Sequence, residues 1–168
     1  MAPKDAAHNQ KWRIAEVTFG IPMAACIVLH LLVPVRIDVT PVLSNCLLVA
    51  GITCISAGVA LVVAARRQFA IHRQPTDPGL ATRKIINTGI FRLSRNPMYL
   101  GAVLVFLGIG FGLKSMWFLV MTLPAAVASS LILIRPEERY LSSKFGPGYS
   151  DYRASVNRWI GRKRKRSH

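Results

Sequence analysis

Two short clusters hold the residue types from which a reaction could be built. The first is Arg135-Pro136-Glu137-Glu138, directly after a long uncharged run. A carboxylate pair at such a boundary is costly unless it is solvated or paired. It could hold a cation or move a proton. It could equally be a first-turn pair facing the positive end of a helix dipole. The second cluster is Arg95-Asn96-Pro97-Met98-Tyr99-Leu100-Gly101. Asn96 suits an N-cap and Pro97 a first helical turn. Tyr99 could anchor at a membrane interface, and Arg95 could be cytoplasmic-side charge. Most of the other acids, Asp5, Asp38, Asp77 and Asp151, fall in loops or on solvated faces. His8, His30, His72 and His168 lie outside both clusters, so no histidine stands out as a base. No Ser-His-Asp set, P-loop, GxGxxG fingerprint or metal constellation competes with them. Cys26, Cys46 and Cys54 sit in apolar segments and read as small buried thiols.

The elements that must position these clusters follow from charge and length. The chain has 168 residues, 52% of them hydrophobic and 17% charged. No Asp, Glu, Lys or Arg occurs at 17–35, 39–65, 96–113 or 115–134. A bilayer core takes roughly 20 apolar residues as helix. The reading is one all-α membrane domain with four transmembrane helices, at about 17–35, 42–65, 97–113 and 115–134. The first apolar run is too long for a signal peptide and is expected to stay in the protein.

The formal net charge is +15. Of the Lys and Arg residues, 3 precede the first span, 7 lie between spans two and three, and 10 follow span four. The other two loops hold only Arg36 and Lys114. Positive-inside bias therefore places both termini and the middle loop in the cytoplasm. The basic tail at 161–168 suits anionic lipid. Without interleaved aromatics, it does not read as a nucleic-acid site.

Spans three and four form a tight hairpin across Gly112-Leu113-Lys114-Ser115. Ala50, Cys54 and Gly58 on span two, and Gly101, Gly108 and Gly112 on span three, read as close-packing positions. The GxxxG could serve the hairpin or a dimer, so oligomeric state stays open. The cytoplasmic loop 66–95 is long but carries Ile71, Leu80, Ile85, Ile86, Ile90 and Phe91, so it is expected to fold onto the membrane face. Cytoplasmic helices are expected over 136–160, the second presenting Tyr149, Tyr152, Val156, Trp159 and Ile160 on one face. Residues 1 to about 15 read as polar and mobile. Loop, hairpin start and C-terminal helices could enclose a pocket.

Beyond these features, residues 82–160 resemble the isoprenylcysteine carboxyl methyltransferase and phospholipid methyltransferase superfamily. The resemblance is carried by Thr88-Gly89-Ile90-Phe91, Arg95-Asn96-Pro97-Met98-Tyr99-Leu100-Gly101, Arg135-Pro136-Glu137-Glu138-Arg139-Tyr140-Leu141, Lys144-Phe145-Gly146, and Tyr149, Tyr152, Val156 and Ile160. It implies an enzyme that binds S-adenosyl-L-methionine in a cytoplasmic pocket and methylates a lipophilic or small carboxylate, thiol or amine acceptor. It implies that Arg83, Ile85, Ile86 and Phe91 line the cofactor region and that Asn96, Pro97 and Tyr99 contact it. Glu138, or its neighbour Glu137, would hold a polar end of the cofactor, and Arg135 and Glu137 would serve the reacting centre. The location implied is a bacterial inner membrane. Arg83, Phe91 and Asn96 stand where the eukaryotic carboxyl methyltransferases carry His, Tyr and His, which points away from prenylcysteine as acceptor. A membrane reductase using NADPH, or a non-catalytic scaffold of the same fold, are the competing readings.

Overall fold

The computed structural model describes residues 13–75 and 82–163. Residues 1–12, 76–81 of the middle loop and 164–168 of the basic tail lie outside them. The described residues form helices α1 (Arg13–Leu32), α2 (Pro41–Ile71), α3 (Pro97–Leu113), α4 (Met116–Ala128), α5 (Arg135–Phe145) and α6 (Pro147–Ser155). A 3-10 turn at Gly89–Arg92 precedes α3, and a π-helical stretch at Ser129–Ile134 joins α4 to α5. No strand occurs among the described residues.

Two helices are long and apolar enough to cross a bilayer: α2, and the continuous helix Met116–Phe145, whose apolar part stops at Ile134. Val17–Leu32 and Pro97–Leu113 are apolar but shorter. The outside of the bundle is oily. Val42, Val49, Ile52, Leu123 and Leu31 are all more than half exposed. A water-soluble monomer rarely shows so large an apolar exterior, so lipid is its natural solvent.

Thr40 caps α2, its Oγ1 accepting from Leu43 N at 3.4 Å, and Pro41 fills the first turn. The helix runs six residues beyond the expected end of span two. Arg66 and Arg67 set a limit on the apolar run, but charge does not stop a helix. They are exposed, while Ala65 is buried in the cluster that Phe69 packs against. The chain turns only at Arg73, whose φ is 50°.

α2 and α3 pack through glycine. A Cβ at Gly51 would stand 2.7 Å from the Gly108 carbonyl oxygen, and one at Gly58 would stand 2.6 Å from that of Gly101. The contact stripe is Gly51, Gly58 and Ala65, all buried, rather than the expected Ala50, Cys54 and Gly58. Only Gly58 belongs to both. The seven-residue repeat keeps the stripe facing α3 where helices cross at a shallow angle.

The hairpin turn forms where expected, with Lys114 left-handed (φ 51°). The loop after α1 pairs with it: Ile37 N donates to the Lys114 carbonyl (3.0 Å) and Met116 N to that of Val35 (3.1 Å). The two connections bearing Arg36 and Lys114 thus share one end of the bundle. The described parts of the basic middle loop and C-terminal segment meet away from it. Cys26, Phe106 and Phe118 close the core between α1, α3 and α4.

The C-terminal helix is shorter than expected. α6 ends at Ser155, and Trp159 and Ile160 fall beyond it. Residues 156–163 instead form a strap that doubles back. Asn157 N donates to the Gly161 carbonyl (2.8 Å) and Lys163 N to that of Ser155 (2.9 Å). Gly161 supplies the reversal with a φ of 102°, a value that side chains rarely allow.

Candidate functional site

At the basic end, Ala65, Ile86, Phe91, Tyr149, Tyr152 and Val156 form a second apolar core. Phe69 and Phe91 meet with centroids 5.4 Å apart. Tyr152 donates its hydroxyl to the Phe91 carbonyl at 2.8 Å. This core ties the middle loop to α6. Gly89 is required in its 3-10 turn: its φ is 55°, and a Cβ there would meet the Gln68 amide at 2.5 Å. Gln74, buried and unremarked in the sequence, pins the loop's return. Its Nε2 donates to the Lys84 carbonyl (2.7 Å), and its Oε1 accepts from Arg83 N (2.8 Å).

The strap then closes over the start of α3. Gly161 N donates to the Leu93 carbonyl (2.8 Å) and Arg95 N to that of Asn157 (3.2 Å). Asn96 precedes α3 as expected but does not cap it with its side chain. Its Nδ2 donates to the Arg158 carbonyl at 3.1 Å, and the fully buried Ser94 hydroxyl accepts from Asn96 N at 3.1 Å. The Ser94 bond is a local turn of the chain before α3, whose first turn has no side-chain cap.

Two neighbouring carboxylates meet opposite surroundings here. Glu138 is buried between two arginines. Its Oε1 forms an ion pair with Arg95 Nη1 (2.9 Å) and accepts from Arg158 Nε (3.1 Å), and its Oε2 accepts from Arg158 Nη2 (2.7 Å). Burial pushes its pKa up, but the Arg158 hydrogen bonds and the Arg95 and Arg158 charges outweigh it and hold the carboxyl below its ordinary range. Glu137 has no ion pair among the described residues. Its Oε2 accepts from the Tyr99 hydroxyl at 3.4 Å. Burial raises its pKa to about 7; the Tyr99 bond opposes the rise and the Glu138 charge adds to it. One acid is thus fixed as a carboxylate and its neighbour is poised to exchange a proton near neutrality. Environments that push two pKa values apart mark acid–base division of labour.

Of the expected site residues, the structure brings Asn96, Pro97, Tyr99, Glu137 and Glu138 together. Ile86 and Phe91 lie in the apolar core beside them, with Ile85 half-buried. Arg83 and Arg135 are not brought in. Both side chains are exposed, without a hydrogen bond or ion pair among the described residues. Arg95, Arg158 and Tyr149 belong to the cluster but carried no such expectation. Arg95 looked like one more cytoplasmic-side charge, and nothing local to Arg158 reports a partner twenty residues away.

An all-helical bundle with an oily exterior and a polar cluster of acids and arginines at its basic end is a membrane protein with a candidate site at one face. The family model for phospholipid methyltransferase matches residues 46–148, more than half of the chain, and the protein belongs to that family. The matched stretch runs from α2 to the start of α6. Arg158 and the strap lie beyond it. No curated protein and no solved structure gives a match.

Proposed function

We propose that the protein is an S-adenosyl-L-methionine-dependent methyltransferase acting on a lipophilic or small acceptor at the cytoplasmic membrane face. Four spans with both termini cytoplasmic suit the charge distribution, with α1 and α3 completing the crossing begun by the two longer helices. The observation that carries the reading is the split carboxylate pair within the family-matched segment.

The residues present fit such a cofactor. Glu137 has no cation paired with it among the described residues, and Tyr99 sets an aromatic ring beside it. Together they favour positive charge, which a sulfonium or an amine supplies. When bound, the cofactor supplies an electrophilic methyl group. The chain then supplies position and proton handling. Oriented placement alone can account for much of the rate of a direct displacement. Glu137, poised near neutrality, takes a proton from an amine or thiol acceptor at its carboxylate; a carboxylate acceptor needs no such step. Tyr99 orients Glu137 through its hydroxyl. Glu138 does not take part directly, because both its oxygens are already held by arginine. The role of Glu138 implied by resemblance passes to Glu137.

The test is incubation of the purified protein with methyl-labelled cofactor and a host lipid extract, followed by identification of the labelled product. Transfer by the wild type and its loss in Glu137→Gln is the expected result. Absence of cofactor binding in calorimetry, together with no labelled product, refutes the reading.

A further inference from the structure

The charge balance of the Arg95–Glu138–Arg158 cluster is uneven. One carboxylate faces two guanidinium groups, so the cluster keeps one positive charge in excess. The Arg95 and Glu138 side chains are 6% and 9% exposed, and that of Arg158 is 32% exposed. Excess charge at such depth is costly unless an opposite charge meets it. Glu137 does not provide one, since its bonded partner is Tyr99.

A second observation is independent of that balance. Arg95 Nε is buried and has no hydrogen-bond partner among the described residues. Every other polar contact of this side chain runs through Nη1, which meets both Glu138 and the Tyr149 hydroxyl (3.3 Å). A guanidinium presents its donors as a rigid fork suited to carboxylate and phosphate oxygens. A buried donor left open on that fork is a vacancy for an acceptor. Glu138, held by three arginine contacts, serves here as an internal counter-ion that orients the two arginines.

We propose that the Arg95–Glu138–Arg158 cluster is a seat for one oxyanion, a carboxylate or a phosphate, with Arg95 Nε as its inner donor and Arg158 at its rim. Glu138, expected to hold a polar end of the cofactor itself, here orients the two arginines instead. It deepens the proposed function, on which it rests for one of two sources of the anion. That source is the carboxylate end of the cofactor; the other is the phosphate of a lipid acceptor.

Titration calorimetry on the full-length protein in detergent separates the sources. One pair of ligands is S-adenosyl-L-methionine and its decarboxylated counterpart. The other is a short-chain phosphatidylethanolamine and the matching diacylglycerol, which lacks the phosphate. In one pair, the member that bears the oxyanion group binds roughly tenfold to a hundredfold more tightly, the range expected of a charge-assisted bond. Arg95→Gln erases that preference with helical circular dichroism unchanged. Should Arg95→Gln fail to fold, Arg158→Gln, at the more exposed rim, must reduce the preference several-fold. Equal affinity within both pairs overturns the seat, as does a preference that both variants leave intact. Binding of neither cofactor form, with the phospholipid still preferred over the diacylglycerol, keeps the seat and refutes the methyltransferase reading instead. No binding of any ligand overturns both.

Discussion

Replacing Glu138 by Gln removes the one negative charge shared by two arginines. The structure distinguishes this change sharply from Arg158→Gln. In Glu138→Gln, Arg95 keeps its charge at 6% side-chain exposure with no carboxylate against it. Stripping one partner from a buried pair costs about 3–5 kcal/mol. In Arg158→Gln, the Arg95–Glu138 pair survives and only a contact from a side chain 32% exposed is lost. Such partly solvated pairs are worth roughly 1 kcal/mol. For a chain of this length, each kcal/mol moves the melting temperature by roughly 2–4 °C. Thermal melting in detergent, followed by helical circular dichroism, therefore expects a drop of roughly 6–20 °C for Glu138→Gln against roughly 2–4 °C for Arg158→Gln. The double variant should lose less than the sum, because the two share one interaction. Equal drops for the two single variants, or a neutral Glu138→Gln, would refute the two-to-one charge arrangement.

Other expectations follow from the same geometry. Gly58→Leu drives side-chain atoms into the Gly101 carbonyl and Val105; the α2–α3 contact should weaken by about 1–3 kcal/mol or more, read as a lower melting temperature, whereas Gly20→Leu, where a Cβ would meet nothing within 4 Å, should change little. Glu137 has a pKa raised to about 7, so it favours the fold below its unfolded value of roughly 4.3 and loses that contribution as pH rises through about 7. Melting temperature measured across this window should fall with pH in the wild type and flatten in Glu137→Gln. Glu138 titrates with the opposite sign, its contribution fading only in acid below the ordinary carboxylate range. Tyr99→Phe removes the bond that restrains the Glu137 shift, so the midpoint of that pH dependence should move upward; a downward shift would exclude the pairing.

Much of the frame was legible in the sequence because hydrophobic length and charge are local quantities. The gaps at 96–113 and 115–134 locate α3 and α4, and Gly112-Leu113-Lys114-Ser115 locates their turn. The convergence of Asn96-Pro97-Met98-Tyr99 with Glu137-Glu138 was legible as two polar clusters at helix ends that share a side. What stayed hidden is pairwise and long-range. Whether Glu137 or Glu138 meets the arginines depends on helix phase, which composition does not encode. Arg158 sits among ten basic residues in its segment, and only the folded strap singles it out. Asn96 has the right type for a cap, yet its side chain leaves the first turn of α3 uncapped and donates to the Arg158 carbonyl instead. Arg135 follows the pattern of the resembling enzymes but points to solvent. The amphipathic pattern that extended α6 to Ile160 was real as a pattern; the left-handed Gly161 and the Glu138–Arg158 bond override it.

The wide turn at Ser129–Ile134 gives the site a length tolerance of its own. Arg135 N donates five residues back, to the Ser130 carbonyl, rather than four. A π turn carries one residue more than an α turn, and each helical residue turns the chain by about 100°. The wide turn absorbs that extra residue without passing the rotation on to α5. A regular helix of the same sequence would swing the two acids about a quarter-turn round the axis, taking Glu138 away from Arg95 and Glu137 away from Tyr99. The stretch therefore has a residue to spare: deleting one from within it should heal the helix and leave the acids facing their partners. Which glutamate faces Tyr99 and which the arginines is set by a miscount in the helix two turns upstream.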